Sequence, residues 1–308
     1  TNQFDYQSCL CYLQVNFMHH LNLFIELTRI KKPIGFMLLF WPCTWGLTLA
    51  YDFSVNLNTY FFYLLLFFLG SILMRSAGCI INDIADKKFD KRVSRTKSRP
   101  IASGKISTQL ALFYSGLLCL IAFCVLINFN HFTIWLALGS MPLAFTYPLM
   151  KRFTYWPQLF LGITFNYGLI LGWTSTTGEI TITPILFYIG AIFWTLGYDT
   201  IYGFQDIKDD EIIGLKSTSI KFKNNPIIFL YICYSIFLMS LITIGLLMEL
   251  NKIYFIFIVA VLLQLYFLQI HRLDINNSKK CLKIFKSNNL IGFFIFSGLL
   301  LDKLILNL

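Results

Sequence analysis

Apolar runs with almost no polar alternation inside them recur along the chain, near 33–52, 60–81, 109–128, 131–149, 156–174, 184–203, 227–247, 253–271 and 288–305. Each has about the 17 to 25 residues that a helix needs to cross a bilayer. The pattern therefore predicts an all-α, polytopic membrane bundle of about nine transmembrane helices. Residues that stop or start helices punctuate the runs: Lys32 and Pro33, Asn56 and Asn58, Gly178, Asn224 to Pro226, Asn251, and Asn276 to Ser278. Residues 24–308 read as a single transmembrane domain. Residues 1–23 read as an N-terminal tail, disordered or a short surface helix, with no compact apolar segment of the kind a removable signal peptide requires.

Composition agrees, at 57% hydrophobic and 13% charged residues with a mean hydropathy of +0.67. Charge then orients the bundle. If the nine runs cross in alternation, 22 of the 25 lysines and arginines fall on one side, eight of them between the second and third runs. Lys252 and Lys303 lie on the other side and Arg75 lies within the second run. The positive-inside rule makes the basic side cytoplasmic, with the N-terminus inside and the C-terminus outside. The net charge of +10 thus needs no nucleic acid to explain it. The eight cysteines sit mostly within apolar runs, where cysteine acts as a small apolar residue, and no Cys/His spacing suggests zinc. Trp41, Trp45, Tyr147, Tyr198 and Tyr202 suit either an interfacial belt or the walls of a cation's path.

The acidic residues are unevenly spread. Eight of the fifteen occupy two short segments at cytoplasmic helix ends: Asp83, Asp86 and Asp90, then Asp199, Asp206, Asp209, Asp210 and Glu211. A helix continued through the first segment would place Asn82, Asp86 and Asp90 on one face; Asp199, Asp206 and Asp210 would share a face likewise. Crowded carboxylates beside hydrocarbon require a cation. Oxygen-only donors favour a hard ion such as magnesium, which commonly bridges carboxylates to a substrate phosphate. Basic residues follow both segments and suit a departing diphosphate, although topogenic charges would look the same.

These segments carry a resemblance. Asn82 to Asp90 reads N-D-x-x-D-x-x-x-D and is followed by Val93, Arg95, Thr96, Arg99, Pro100, Ser103 and Gly104; the second reads Y-D-T-x-Y from Tyr198, then D-x-x-D-D from Asp206 and I-G-x-K-S from Ile213. The chain resembles the UbiA superfamily of intramembrane prenyltransferases over about 24–303, and within it the 4-hydroxybenzoate polyprenyltransferase branch of ubiquinone biosynthesis. The resemblance implies a helix bundle around a central cavity, open sideways to lipid. It implies Mg2+ held by Asn82, Asp83, Asp86, Asp90, Asp199, Asp206 and Asp210, with Asp86, Asp90, Asp206 and Asp210 foremost in catalysis. Arg95, Arg99 and Lys216 would bind the diphosphate, and Arg152 or Arg75 the carboxylate of the aromatic acceptor. The substrates would be a polyprenyl diphosphate and 4-hydroxybenzoate. The setting would be a bacterial inner membrane or a mitochondrial inner membrane, with the product passing to later enzymes of the quinone pathway.

Two other classes of function compete. A secondary transporter would place its charged groups near the bilayer midplane on broken helices, whereas here they crowd one boundary. A structural scaffold leaves the clustered acids without a role.

Overall fold

The computed structural model describes residue 18 and residues 20–306. After a helical stretch at 20–28, nine long helices follow among the described residues. They are α1 (Ile34–Ala50), α2 (Leu57–Ala85), α3 (Thr108–Leu126), α4 (His131–Thr146), α5 (Pro157–Thr177), α6 (Ile182–Gly203), α7 (Pro226–Leu247), α8 (Lys252–Leu263) and α9 (Ser278–Leu306). A 3-10 turn, Tyr147–Arg152, prolongs α4, and a π-helical stretch, Gln264–Ile270, prolongs α8. The expected punctuation sets the boundaries. The Asn56, Ser107 and Asn130 side chains accept from backbone N–H groups at the starts of α2, α3 and α4, which satisfies donors that have no partner within the helix. Pro157 and Pro226 open α5 and α7, and Gly178, in the left-handed region at φ 70°, closes α5.

The expectation of about nine crossings needs qualification. Seven of these helices, with their extensions, are long and apolar enough to cross a membrane. The exceptions are α1, whose 17 residues span about 26 Å against a hydrocarbon core of about 30 Å, and α5, which carries Gln158, Asn166, Thr174 and Ser175 as buried polar residues. Protein rather than lipid surrounds much of both. Eleven of the α1 residues are buried, from Leu38 through Leu49. The backbones of α1 and α5 approach so closely that a Cβ at Gly46 would collide with the Leu169 carbonyl oxygen, and one at Gly172 with that of Cys43. Small residues at such crossings allow the close van der Waals packing that joins helices in lipid.

Aromatic rings and buried amides tie the remaining helices together. The Trp45 ring stacks on Phe187, with centroids 5.5 Å apart, and the Trp194 ring on Phe237, at 5.7 Å. Three indole N–H groups donate to α9: Trp41 to Asn289 Oδ1 at 2.9 Å, Trp45 to the Gly292 carbonyl at 3.1 Å and Trp194 to Asn288 Oδ1 at 2.9 Å. Trp41 and Trp45 are therefore core residues, not the belt residues that one reading of the sequence allowed. Gln269 donates to Asn288 and to Gln264 and accepts from Tyr234, so α6, α7, α8 and α9 share one satisfied polar network. In hydrocarbon an amide without such partners would be costly.

Gly46→Ala should force α1 and α5 apart and cost about 1–3 kcal/mol, lowering the midpoint of thermal unfolding in detergent. Gly116→Ala, where a Cβ meets nothing within 4 Å, is the control and should not lower it. Equal midpoints for both variants would show that the crossing tolerates separation.

Candidate active site

The two acidic segments meet at one end of the bundle, though not on the continuous helices expected. Helix α2 ends at Ala85; Asp86 caps it at φ −91° and ψ 0°, and a single turn, Lys87–Asp90, follows. The i, i+4 spacing survives the break, because the Asp86 N–H donates to the Asn82 carbonyl at 2.9 Å and the Asp90 N–H to the Asp86 carbonyl at 2.8 Å. Likewise α6 ends at Gly203, Asp206 caps the short helix Ile207–Ile212, and the Asp210 N–H donates to the Asp206 carbonyl at 2.9 Å. Asp199 remains one turn inside α6 and makes no ion pair within 4.0 Å among the described residues; Arg75 is the cation that faces it.

The first cluster is deeply buried for its charge, with Asp83 2% and Asp86 1% exposed. Cations drawn from three separate segments answer it. Arg29 and Arg99 both pair with Asp83, the latter at 3.1 Å, and Arg99 also reaches Asp90 at 2.8 Å. Lys151 donates to Asp86. Arg95 crosses to the second cluster, where its Nε donates to the two Asp206 oxygens at 2.8 and 3.0 Å. The backbone N–H of Ser94 makes a second crossing, to Asp209 at 3.3 Å. The loop after the first motif is thereby fastened to the second motif.

Lys151 and Arg29 were legible in the sequence only as topogenic charges. Arg29 has φ 54°, a left-handed conformation that costs a non-glycine residue about 1–2 kcal/mol, and this turn after the 20–28 helix aims its side chain at Asp83. Lys151 also acts on Asp210, whose carboxyl is pushed up to about 6 by burial and by the neighbouring Asp206 carboxylate, with Lys151 and Arg95 opposing. Burial likewise raises Asp86, against the pull of Lys151. Lys151 thus pairs with the key acid of one motif and its charge acts on that of the other.

The seven acids and amides expected to hold a metal do not form one ready cage. Among the described residues no three His, Cys, Asp or Glu side chains are placed to hold an ion together. Asp83 and Asp90 are taken up by arginines. Asp206 is likewise held by Arg95, so what remains is Asp86 Oδ1, buried without a hydrogen-bond partner, with Asp210 and, deeper, Asp199. These oxygen donors, drawn from both motifs, suit a hard divalent cation.

The remaining candidates divide by depth. Lys216 packs on the α4–α5 connection: its Nζ donates to the Phe153 carbonyl at 3.3 Å and its backbone N–H to that of Lys151 at 2.9 Å. Arg152 donates to the Ala85 carbonyl at the end of α2 and lies over the Phe89 ring at 5.2 Å. It borders a cavity of about 420 Å³ outside the paired acids, shared with Lys87, Lys88 and Thr108. Arg75 lies deeper in α2, nearly three turns before Ala85, over the Phe165 ring at 5.2 Å, and its Nε is buried with no hydrogen-bond partner. Gly35 leaves room for it, since a Cβ there would come within 2.8 Å of that nitrogen.

A bundle that is all-helical among the described residues, with seven helices fit to cross a membrane and two aspartate motifs interlocked at one end, defines an integral membrane protein. The UbiA prenyltransferase family model matches residues 39–298, and the chain belongs to that family. Over 282 residues, 91% of this chain and 75% of the relative, it is 44% identical to a mitochondrial 4-hydroxybenzoate polyprenyltransferase of Bos taurus. Over 281 residues, 91% of this chain and 95% of the relative, it is 41% identical to a 4-hydroxybenzoate octaprenyltransferase of Nitrosospira multiformis. The fold matches that of a UbiA homologue from Archaeoglobus fulgidus, solved bound to GPP and Mg2+, with a TM-score of 0.70 at 19% identity over 91% of this chain and 99% of that one.

The raised Asp210 carboxyl makes a prediction about stability. Its proton is held more tightly in the folded chain than in the unfolded one, so in metal-free buffer its contribution should fall as pH rises from about 4 to about 6. Asp210→Asn removes that penalty. The variant should unfold at a higher temperature than wild type at pH 8, with the difference closing near pH 4. A difference that does not change with pH would assign the effect to packing.

Proposed function

We propose that this protein transfers a polyprenyl chain from its diphosphate to the ring carbon ortho to the hydroxyl of 4-hydroxybenzoate, in ubiquinone biosynthesis. The observation that carries the reading is the junction of the two aspartate motifs, with Lys151 paired to Asp86, Arg95 locked onto Asp206 and the Ser94 N–H donating to Asp209. The names of the relatives, 41% and 44% identical over nearly the whole chain, supply the substrate class. Asp86, Asp90, Asp206 and Asp210 are the acids on which activity should depend most.

Asp86 and Asp210, supported by Asn82, Asp206 and Asp199, would hold magnesium, with Asp83 and Asp90 fixing the arginines behind them. Bound there, the ion would draw charge onto the diphosphate and weaken the allylic C–O bond. Arg95, Arg99 and Lys151 would exchange carboxylate partners for diphosphate oxygens as the C–O bond breaks, and Lys216, held by the Phe153 carbonyl, would add a further donor beside the same loops. Such preorganised donors act most strongly where water is excluded. The allylic carbon then bonds to the ring, and the ring loses the ortho proton.

The acceptor's carboxylate goes to Arg75. Its unpartnered Nε lies deeper than the mouth, while Arg152 is held by Ala85 and Phe89 and would position the end of α2. A guanidinium suits planar recognition of a carboxylate. The mouth faces the cytoplasm, or the mitochondrial matrix in the alternative setting, because the basic loops surround it.

Purified protein in liposomes should convert 4-hydroxybenzoate and a polyprenyl diphosphate to the C-prenylated acid, as read by mass spectrometry, and excess EDTA should abolish the reaction until Mg2+ is restored. Asp86→Ala and Asp210→Ala should lower kcat by about 10² or more. Arg75→Ala should raise KM for the aromatic acid about tenfold or more with little change in KM for the diphosphate. Turnover in EDTA, or a preference for a different acceptor, would overturn the corresponding part of the proposal.

Orientation is tested separately. In a background free of other reactive thiols, an impermeant reagent applied to intact bacteria should label Glu179→Cys and not Lys97→Cys. The reverse labelling would invert the topology.

A further inference from the structure

The first turns of α9 present a charged face that makes no ion pair among the described residues. Lys279, Lys280, Lys283 and Lys286 are all exposed, and none lies within 4.0 Å of a described carboxylate. Cys281, Ile284 and Asn288 on the same helix are buried, which fixes the lysines on the outer side. The first turn carries no acid. Cations there oppose the helix dipole, and like charges three and four residues apart repel one another, so the arrangement gains nothing from the protein alone. The turn between α8 and α9 adds exposed His271 and Arg272. Phe285 packs on Tyr198 and Tyr202, with centroids 5.7 and 4.5 Å apart, which sets this face at the same end of the bundle as the aspartate motifs.

A second feature arises on other helices. Between α7 and the π-helical stretch Gln264–Ile270, Tyr231, Tyr266, Phe267 and His271 line a cavity of about 200 Å³. Tyr231 and Tyr266 stack at 5.3 Å, and the Tyr266 hydroxyl is fixed to Ser235 at 2.8 Å. Tyr231 and Phe267 are exposed, so the recess opens on the outer surface of the bundle, away from the acids. Insertions of the π type are frequent at functional sites. Here the wider turn ends at His271, next to Arg272, so the rim of an aromatic recess runs directly into the basic turn. Topogenic charge alone explains the sign of these residues. It does not account for the aromatic recess whose rim continues into the basic turn.

We propose that the α8–α9 corner binds an anionic phospholipid of the surrounding bilayer, with its phosphate held by Arg272 and the α9 lysines and the glycerol end of its chains resting against Tyr231, Tyr266 and Phe267. Charge complementarity and depth select this occupant: basic groups just outside the hydrocarbon meet headgroup phosphates, and basic pockets between helices favour multiply charged headgroups.

The test uses the full chain, purified in neutral detergent, stripped of lipid and examined by native mass spectrometry with cardiolipin, phosphatidylglycerol or phosphatidylcholine. Wild type should retain the two anionic lipids about tenfold or more tightly than phosphatidylcholine, cardiolipin above phosphatidylglycerol. The combined K279Q, K280Q, K283Q and K286Q variant should lose most of that preference. F267A should weaken retention of all three lipids without a change of charge. A charge-matched variant on the same side of the membrane, K88Q, K91Q, K97Q and K105Q, should keep the preference. If the quadruple α9 variant does not fold, Arg272→Gln takes its place, with the same expected loss. Equal losses in the two quadruple variants, no preference over phosphatidylcholine in wild type, or displacement of the lipid by a polyprenyl diphosphate at equal concentration would each overturn the proposal.

Discussion

A carboxylate at the edge of hydrocarbon must be answered by a cation, and the architecture of this protein's mouth follows from that constraint. Asp83 and Asp86 arrive at the boundary because α2 has 29 residues, about 43 Å of helix against about 30 Å of hydrocarbon. Four cations answer the acids of the two motifs, and each is supplied by a different turn or by the long loop before α3: Arg29, Arg95, Arg99 and Lys151. Neutralisation is therefore also cross-linking. Removing one partner of a buried pair leaves an uncompensated charge and costs about 3–5 kcal/mol, although replacing a whole pair can be neutral. Such a network resists loss of a member yet can exchange one counter-ion for another, which is the property a diphosphate site requires.

Inside the bundle the same constraint takes a neutral form. Indole N–H groups on α1 and α6 and amides on α8 converge on Asn288, Asn289 and Gly292 of α9. Trp194 packs edge-on against Tyr198 at 5.0 Å, one residue before Asp199, and Phe285 holds the other side of Tyr198. The polar network therefore sets the position of the helix end that carries the second motif. Its members can afford no loose partner, because within hydrocarbon no water would replace one.

Much of this was legible in the sequence, and the parts that were not share a reason. Apolar runs and their Asn, Pro and Gly boundaries located the long helices, since helix length and capping are local properties. The aspartate spacing survived even where the helix broke at Asp86, because the backbone hydrogen bonds Asn82 to Asp86 and Asp86 to Asp90 persist. Lys151 and Arg29 were missed as counter-ions because a topogenic lysine and an ion-paired lysine read alike until the chain is folded. The α9 helix begins at Ser278, ten residues before the apolar run at 288, because its first turns are amphipathic and too basic to register as membrane-spanning. Trp41 and Trp45 looked interfacial because their acceptors lie about 250 residues away in sequence. The polar content of α5 and the brevity of α1 are tolerable for a related reason: each shelters the other.

The depth at which cations are committed bears on how one site could handle two anions. Arg29, Arg95 and Arg99 sit at the mouth and hold aspartates; Arg152 is spent on a helix-end carbonyl; Arg75, deeper in α2, holds no acid and keeps Nε unpartnered. Leaving a guanidinium donor unsatisfied at that depth is costly, and a fold that could compensate it with Asp199 stops short of ion-pair distance. Under the proposed function that distance has a use. A mouth whose cations are already pre-paired with acids accepts the strongly charged diphosphate by exchange, whereas a single weak carboxylate could not displace an aspartate there. It would be drawn instead to Arg75, the cation whose Nε is left open further in. On that reading the two anions would be sorted by charge before any chemistry occurs, and the ring of the acceptor would lie between Arg75 and the mouth.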